Sequence, residues 1–92
     1  MTKYNVTFKK SVAKDLRSIP NQDVKQILSR IDALAINPRA EGCIKLSGQD
    51  CYRVRQGIYR IIYEIDATRE VLYLLLIGAR ENVYDRLRRR VR

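Results

Sequence analysis

The segment VLYLLLIGA (71–79) is apolar on both faces of any strand it could form. A strand that faces water on one side alternates apolar and polar residues, whereas one buried on both sides reads as a continuous apolar run. This segment therefore belongs inside the molecule, and a single layer of helices cannot cover both of its faces. At eight or nine residues it has the length of a buried strand and falls well short of the roughly 18 apolar residues that a membrane span needs.

The rest of the chain supplies partners for that strand. YNVTF (4–8) alternates and is rich in strand formers, so it predicts a first strand. In KKSVAKDLRSIP (9–20), Val12, Leu16 and Ile19 fall on one face of a helix. Pro20 ends that helix or opens the next. NQDVKQILSRIDALAINP (21–38) repeats the pattern through Val24, Ile27, Leu28, Ile31, Leu34 and Ala35, with Asn21 placed to act as N-cap and Asn37-Pro38 closing the helix. The two helices should form a hairpin. CIKLSG (43–48) reads as a short strand and turn. CYRVR (51–55) and YRIIYEI (59–65) read as strands around a tight Gln56-Gly57 turn. RENVYDRLRRRVR (80–92) reads as a short terminal helix or basic tail. With 92 residues, one domain spans the chain. The order of elements predicts an α+β fold: an N-terminal strand and helical hairpin packed on one face of a mostly antiparallel, twisted sheet, with a short C-terminal helix.

Alternation assigns the sheet faces. Tyr52, Val54, Tyr59, Ile61, Tyr63 and Ile65 point toward the helices, and Arg53, Arg55, Arg60, Ile62 and Glu64 point away. Three arginines thus gather on the face that the helical hairpin leaves open. Nineteen Lys and Arg against ten Asp and Glu give a net charge of +9, which favours a polyanionic partner, nucleic acid first and an acidic protein second. A membrane surface is a poorer partner, because the cations are not confined to one amphipathic helix. The N-terminus lacks the apolar core of a signal peptide, and the two cysteines are too few for a disulfide framework, so free thiols in a reducing cytoplasm are expected.

The absence of histidine from the sequence removes Ser-His-Asp triads, Cys-His pairs and histidine-ligated metals. The glycines form no phosphate-binding loop, and the acids suggest no carboxylate cluster for a metal-dependent nuclease, so no cofactor is expected. What remains is arginine and tyrosine. Arginine forks bind phosphate bidentately. Arg80 directly follows the last strand, and Tyr84 lies four residues further on, one helical turn if that segment is helical. A tyrosine beside arginines can stack on an exposed base or transfer a proton. RNA cleavage can proceed with these groups alone: the 2′-OH attacks its own phosphate while cations steady the added charge. A solvated basic face with no activity is the plain alternative.

FKKSVAKDLRSIP (8–20), LAINP (34–38), KLSG (45–48), YRVRQGIYRIIYEI (52–65) and IGARENVY (77–84) together resemble the RelE/ParE superfamily of bacterial and archaeal toxins over nearly the whole chain. The resemblance implies the toxin of a type II toxin–antitoxin pair. RelE-like members cut mRNA in the ribosomal A site; ParE-like members poison DNA gyrase and lack the cleavage residues. The RelE-like pattern puts cations at Arg53 and Arg55, arginines at Arg60 and Arg80, and a tyrosine at Tyr84, which makes these five the implied catalytic set. Some members carry lysines where this chain has Arg53 and Arg55, and an arginine cannot serve as a base. Those two are therefore assigned to phosphate binding and charge stabilisation. Arg53, Arg55, Arg86, Arg88, Arg89 and Arg90 are expected to contact RNA or the ribosome. An acidic, amphipathic antitoxin is expected to form a hetero-oligomer with the toxin, docking on an exposed apolar stripe of Ile62, Leu72, Leu74 and Leu76.

Overall fold

The computed structural model describes residues 3–46, 51–79 and 83–90. The elements follow in the order β1 (Asn5–Phe8), α1 (Lys10–Arg17), α2 (Asn21–Ile36), β2 (Ile44–Lys45), β3 (Tyr52–Gln56), β4 (Tyr59–Asp66), β5 (Val71–Gly78) and α3 (Val83–Arg90). The strands form one sheet in the order β1-β5-β4-β3-β2. β1 runs parallel to β5, and every other pairing is antiparallel. The architecture is the α+β arrangement expected from the sequence, with the apolar β5 in the interior of the sheet. No helix among the described residues is long and apolar enough to cross a membrane.

Val12 of α1 and Ile27, Ile31, Leu34 and Ala35 of α2 pack on Val54, Tyr59, Ile61, Tyr63, Leu72, Leu74 and Ile77 of the sheet. Two tyrosines tie α2 to this core by their hydroxyls: Tyr59 donates to Asp23 Oδ2 at 2.7 Å, and Tyr63 donates to the Pro38 carbonyl at 2.7 Å. A buried phenol needs such a partner, and both find one at an end of α2. The helix starts one residue earlier than expected. Pro20 is the N-cap, and its carbonyl accepts from the backbone N–H groups of Asp23 and Val24. Asn21 therefore lies inside the first turn. Between β3 and β4, Gly57 has φ of 61° and Ile58 does not share the left-handed region, as in a type II′ hairpin turn.

The second face is covered by α3. Val83 and Leu87 pack on Cys51, Ile62, Leu75 and Leu76. Strict alternation fails on β5, and a bulge is the cause. Ile62 pairs with Leu76 and Tyr63 with Leu74, so Leu75 is the extra residue. Leu74 then faces α1 and α2, Leu75 and Leu76 both face α3, and Ile77 returns to the first face. This overturns the expected exposed stripe. Ile62, Leu72, Leu74 and Leu76 are all at most 1% exposed, and they are divided between two cores.

Candidate active site

The β3–β4 hairpin builds the cationic face. Arg53 and Arg55 are two residues apart on β3 and so share a side of the sheet. Arg60 of β4 is the direct cross-strand partner of Arg55, and Ile62 is the partner of Arg53. Like charges directly opposite one another on a sheet are destabilising, so the Arg55–Arg60 pair is a poor choice for folding alone. Tyr84, in the first turn of α3, completes the group: Arg53 Nη1 donates to the Tyr84 hydroxyl at 3.3 Å. Arg60 Nη1 donates to the Ala79 carbonyl at 3.4 Å, which holds its guanidinium at the end of β5.

The Nε atoms of Arg53 and Arg60 are buried and have no partner among the described residues. A buried donor left unpaired costs about 1–3 kcal/mol, and more when charged. Two such donors beside a like-charge pair describe a place that gains from an anion. The Tyr84 hydroxyl accepts from Arg53, which leaves its own O–H available to donate. Among the described residues no three His, Cys, Asp or Glu side chains gather in a set that could hold a metal ion.

Arg53, Arg55, Arg60 and Tyr84 are thus brought together. Arg80 and the side chain of Arg90 lie outside the described residues. Arg88 forms an exposed ion pair with Asp85 one turn back in the same helix, and Arg89 is exposed. Arg86, expected to contact RNA or the ribosome, turns elsewhere: its Nη2 pairs with Asp15 Oδ1 at 2.9 Å. Asp15 was not among the sequence candidates, yet a signal was present. Positions 12, 15, 16 and 19 make the full i, i+3, i+4, i+7 stripe, with an acid in one of its four places. Two tyrosines of the hairpin, Tyr59 and Tyr63, are unsuited to proton transfer near neutrality. Burial, with the nearby Cys43 thiol, pushes the Tyr63 phenol well up, and the hydrogen bond to Asp23 raises that of Tyr59.

A family model described as the ParE toxin of type II toxin–antitoxin system, parDE, matches residues 6–84, from the first strand to the tyrosine. The chain belongs to the RelE/ParE superfamily of toxins. The RelE1 toxin candidate of Methanocaldococcus jannaschii is 35% identical over 86 residues, which span 89% of this toxin and 96% of the relative. The archaeal RelE–RelB complex from Pyrococcus horikoshii contains a chain that superposes on this toxin with a TM-score of 0.77 at 32% identity, covering 87% of this chain and 98% of that one. A doubly substituted E. coli toxin RelE in the free state has the same fold, with a TM-score of 0.81 over 99% of this toxin and all of its own length at 24% identity.

Proposed function

We propose that this toxin is a metal-independent, ribosome-dependent endoribonuclease that cleaves mRNA in the A site and so inhibits translation. The observation that carries the reading is the gathering of Arg53, Arg55 and Arg60 on one hairpin with the Tyr84 hydroxyl against Arg53, together with the Nε donors of Arg53 and Arg60 that have no partner among the described residues. In the reaction, the 2′-oxygen attacks the adjacent phosphorus, its proton passes to solvent water, and the 5′-oxygen leaves with a proton. The products are a 2′,3′-cyclic phosphate and a 5′-hydroxyl. The arginines bind the scissile phosphate and steady the charge of the pentacoordinate state. Tyr84 is assigned to donate a proton to the leaving oxygen, because its oxygen already accepts from Arg53. Arg80 is assigned to the same phosphate from its place in the sequence. Arginine at 53 and 55 leaves no strong base in this group, so in-line positioning of the RNA by the ribosome carries much of the rate, and free RNA is cut poorly.

An antitoxin partner follows from membership of the family, and a solved RelE–RelB complex exists for P. horikoshii. The net charge of +9 suits an acidic, amphipathic segment. Such a segment reaches the arginine face directly, or displaces α3 and packs on Ile62 and Leu76 in its place. Leu72 and Leu74 stay beneath α1 and α2 in either case.

The description of the matching family model favours one second reading, a gyrase poison that cuts nothing. Primer extension on one mRNA translated in vitro, with ribosome-free RNA as control, separates the two. Cuts at in-frame positions that require ribosomes, and that vanish in Arg60→Ala and Tyr84→Phe, are the expected result. Intact message together with growth arrest and DNA damage would overturn the ribonuclease reading.

A further inference from the structure

The pairing of Asp15 with Arg86 links the two ends of the chain, 71 residues apart, and nothing in the proposed chemistry uses it. Its setting is unlike that of a surface ion pair. The Asp15 side chain is 4% exposed and that of Arg86 34%, against 60% and 68% for Asp85 and Arg88. The carboxylate is also a fixed reference point. β1 leaves the sheet after its pairing with Leu74, so the outer edge of β5 loses its neighbour at that point. α1 covers that edge, and Asp15 Oδ2 accepts the backbone N–H of Ile77 at 3.1 Å. One carboxylate oxygen thus meets β5 and the other meets α3. The floor beneath Arg86 is shaped for it: a Cβ at Gly78 would stand 2.9 Å from Arg86 Nη1 and 3.3 Å from Val83 Cγ2.

The helical geometry gives this arrangement a purpose. At about 100° per residue, Val83 and Leu87 point down into the sheet, while Tyr84 and Arg86 leave the helix on opposite flanks, about 160° apart. Two apolar side chains hold a short helix down and leave it free to roll about its axis. A roll that carries Tyr84 off Arg53 drives Arg86 against or away from Asp15. We propose that Asp15 and Arg86 are positioning residues: an ionic latch that fixes the roll of α3 and so aims the Tyr84 hydroxyl at the arginine face. This role rests on the ribonuclease reading for its consequence and on the free protein for its existence.

The test has two parts on the full chain. Hydrogen exchange of α3 amides is compared in wild type, Arg86→Gln and Arg88→Gln. Arg86→Gln is expected to lower α3 protection at least tenfold while α2 and β4 change less than twofold, and Arg88→Gln to change α3 less than threefold. Unchanged α3 protection in Arg86→Gln, or an equal loss across α2 and β4, overturns the latch. Single-turnover cleavage of ribosome-bound mRNA follows. Arg86→Gln is expected to slow it at least tenfold at an unchanged half-saturating ribosome concentration, Arg86→Lys to recover part of the loss, and Arg86→Gln to cost nothing more in a Tyr84→Phe background. Additive losses, or a shifted half-saturation, make Arg86 an RNA contact and reject the positioning role. A wild-type protein that cuts nothing on ribosomes rejects the ribonuclease reading alone, and the exchange data still decide the latch.

Discussion

The two faces of the sheet are built to different standards. On one, two helices bury a continuous apolar layer, and the tyrosines that enter it find partners at both ends of α2. On the other, α3 covers a smaller patch through Val83 and Leu87, and the remaining ground is given to arginines, two of them with buried donors that have no partner among the described residues. Stability is not uniform within a domain, and the parts that bind or react are drawn from its weaker end. The thick face holds the fold, which leaves the thin face free to carry groups that a folding argument alone would reject.

Truncation on each face should show this difference most visibly. Leu34 of α2 is fully buried against the sheet, and Leu34→Ala is expected to lower global stability by about 2–5 kcal/mol, read from the urea midpoint. Leu87 is as fully buried, yet it anchors only α3, which can undock without unfolding the sheet. Leu87→Ala should move the midpoint by less than half as much and should slow mRNA cleavage severely. Equal shifts in the two variants would show that both faces belong to one cooperative unit.

A smaller effect of opposite sign is expected on the arginine face. Arg55 and Arg60 stand directly across from each other, so Arg55→Ala should raise stability by about 0.2–1 kcal/mol at low salt and lose that gain at high salt. The same change should impair cleavage. A variant that is less stable than wild type would mean that Arg55 has a structural partner and that the face is not held against its own repulsion.

The fold was legible where one periodicity ran unbroken. The alternation of Tyr52, Val54, Tyr59, Ile61 and Tyr63 assigns the main core correctly, and so does the α2 stripe through Ile27, Ile31, Leu34 and Ala35, although Leu28 of that stripe is 39% exposed. Alternation fails at β5, where one extra residue reverses the faces after Leu75, and a continuous apolar run carries no mark of where such a residue sits. The site was legible to a similar extent. Arg53, Arg55 and Arg60 lie on one hairpin, so alternation alone unites them, whereas the contact of Tyr84 with Arg53 joins residues 31 positions apart, which no local spacing marks. Arg86 could not be separated from its neighbours in an arginine-rich helix, since its distinction is a partner 71 residues away. Asp15 was visible only as a polar residue in an apolar stripe, a pattern that has meaning once a donor is known to face it.

Alkaline pH offers the gentlest probe of the contrast, because it acts on the thick face. The Tyr63 phenol is pushed up from its ordinary value of 10.0 by burial first and by the Cys43 thiol second, and Tyr59 is raised by its hydrogen bond to Asp23. A group raised in the folded state contributes stability that is complete below its unfolded value and is lost as pH climbs toward the folded one. Above about pH 10 the unfolded chain gives up protons that the folded chain keeps, so stability falls with pH, by at most about 1.4 kcal/mol per pH unit for Tyr63. Tyr63→Phe loses the bond to the Pro38 carbonyl and is less stable at neutral pH, but its stability should fall less steeply between pH 10 and 11. Changes in overall charge are common to both proteins and cancel in the difference. Urea midpoints measured across that window read the two slopes. Parallel curves would mean that Tyr63 ionises as readily in the folded state as in the unfolded one, and the face beneath α2 would then be as open to water as the one beneath α3.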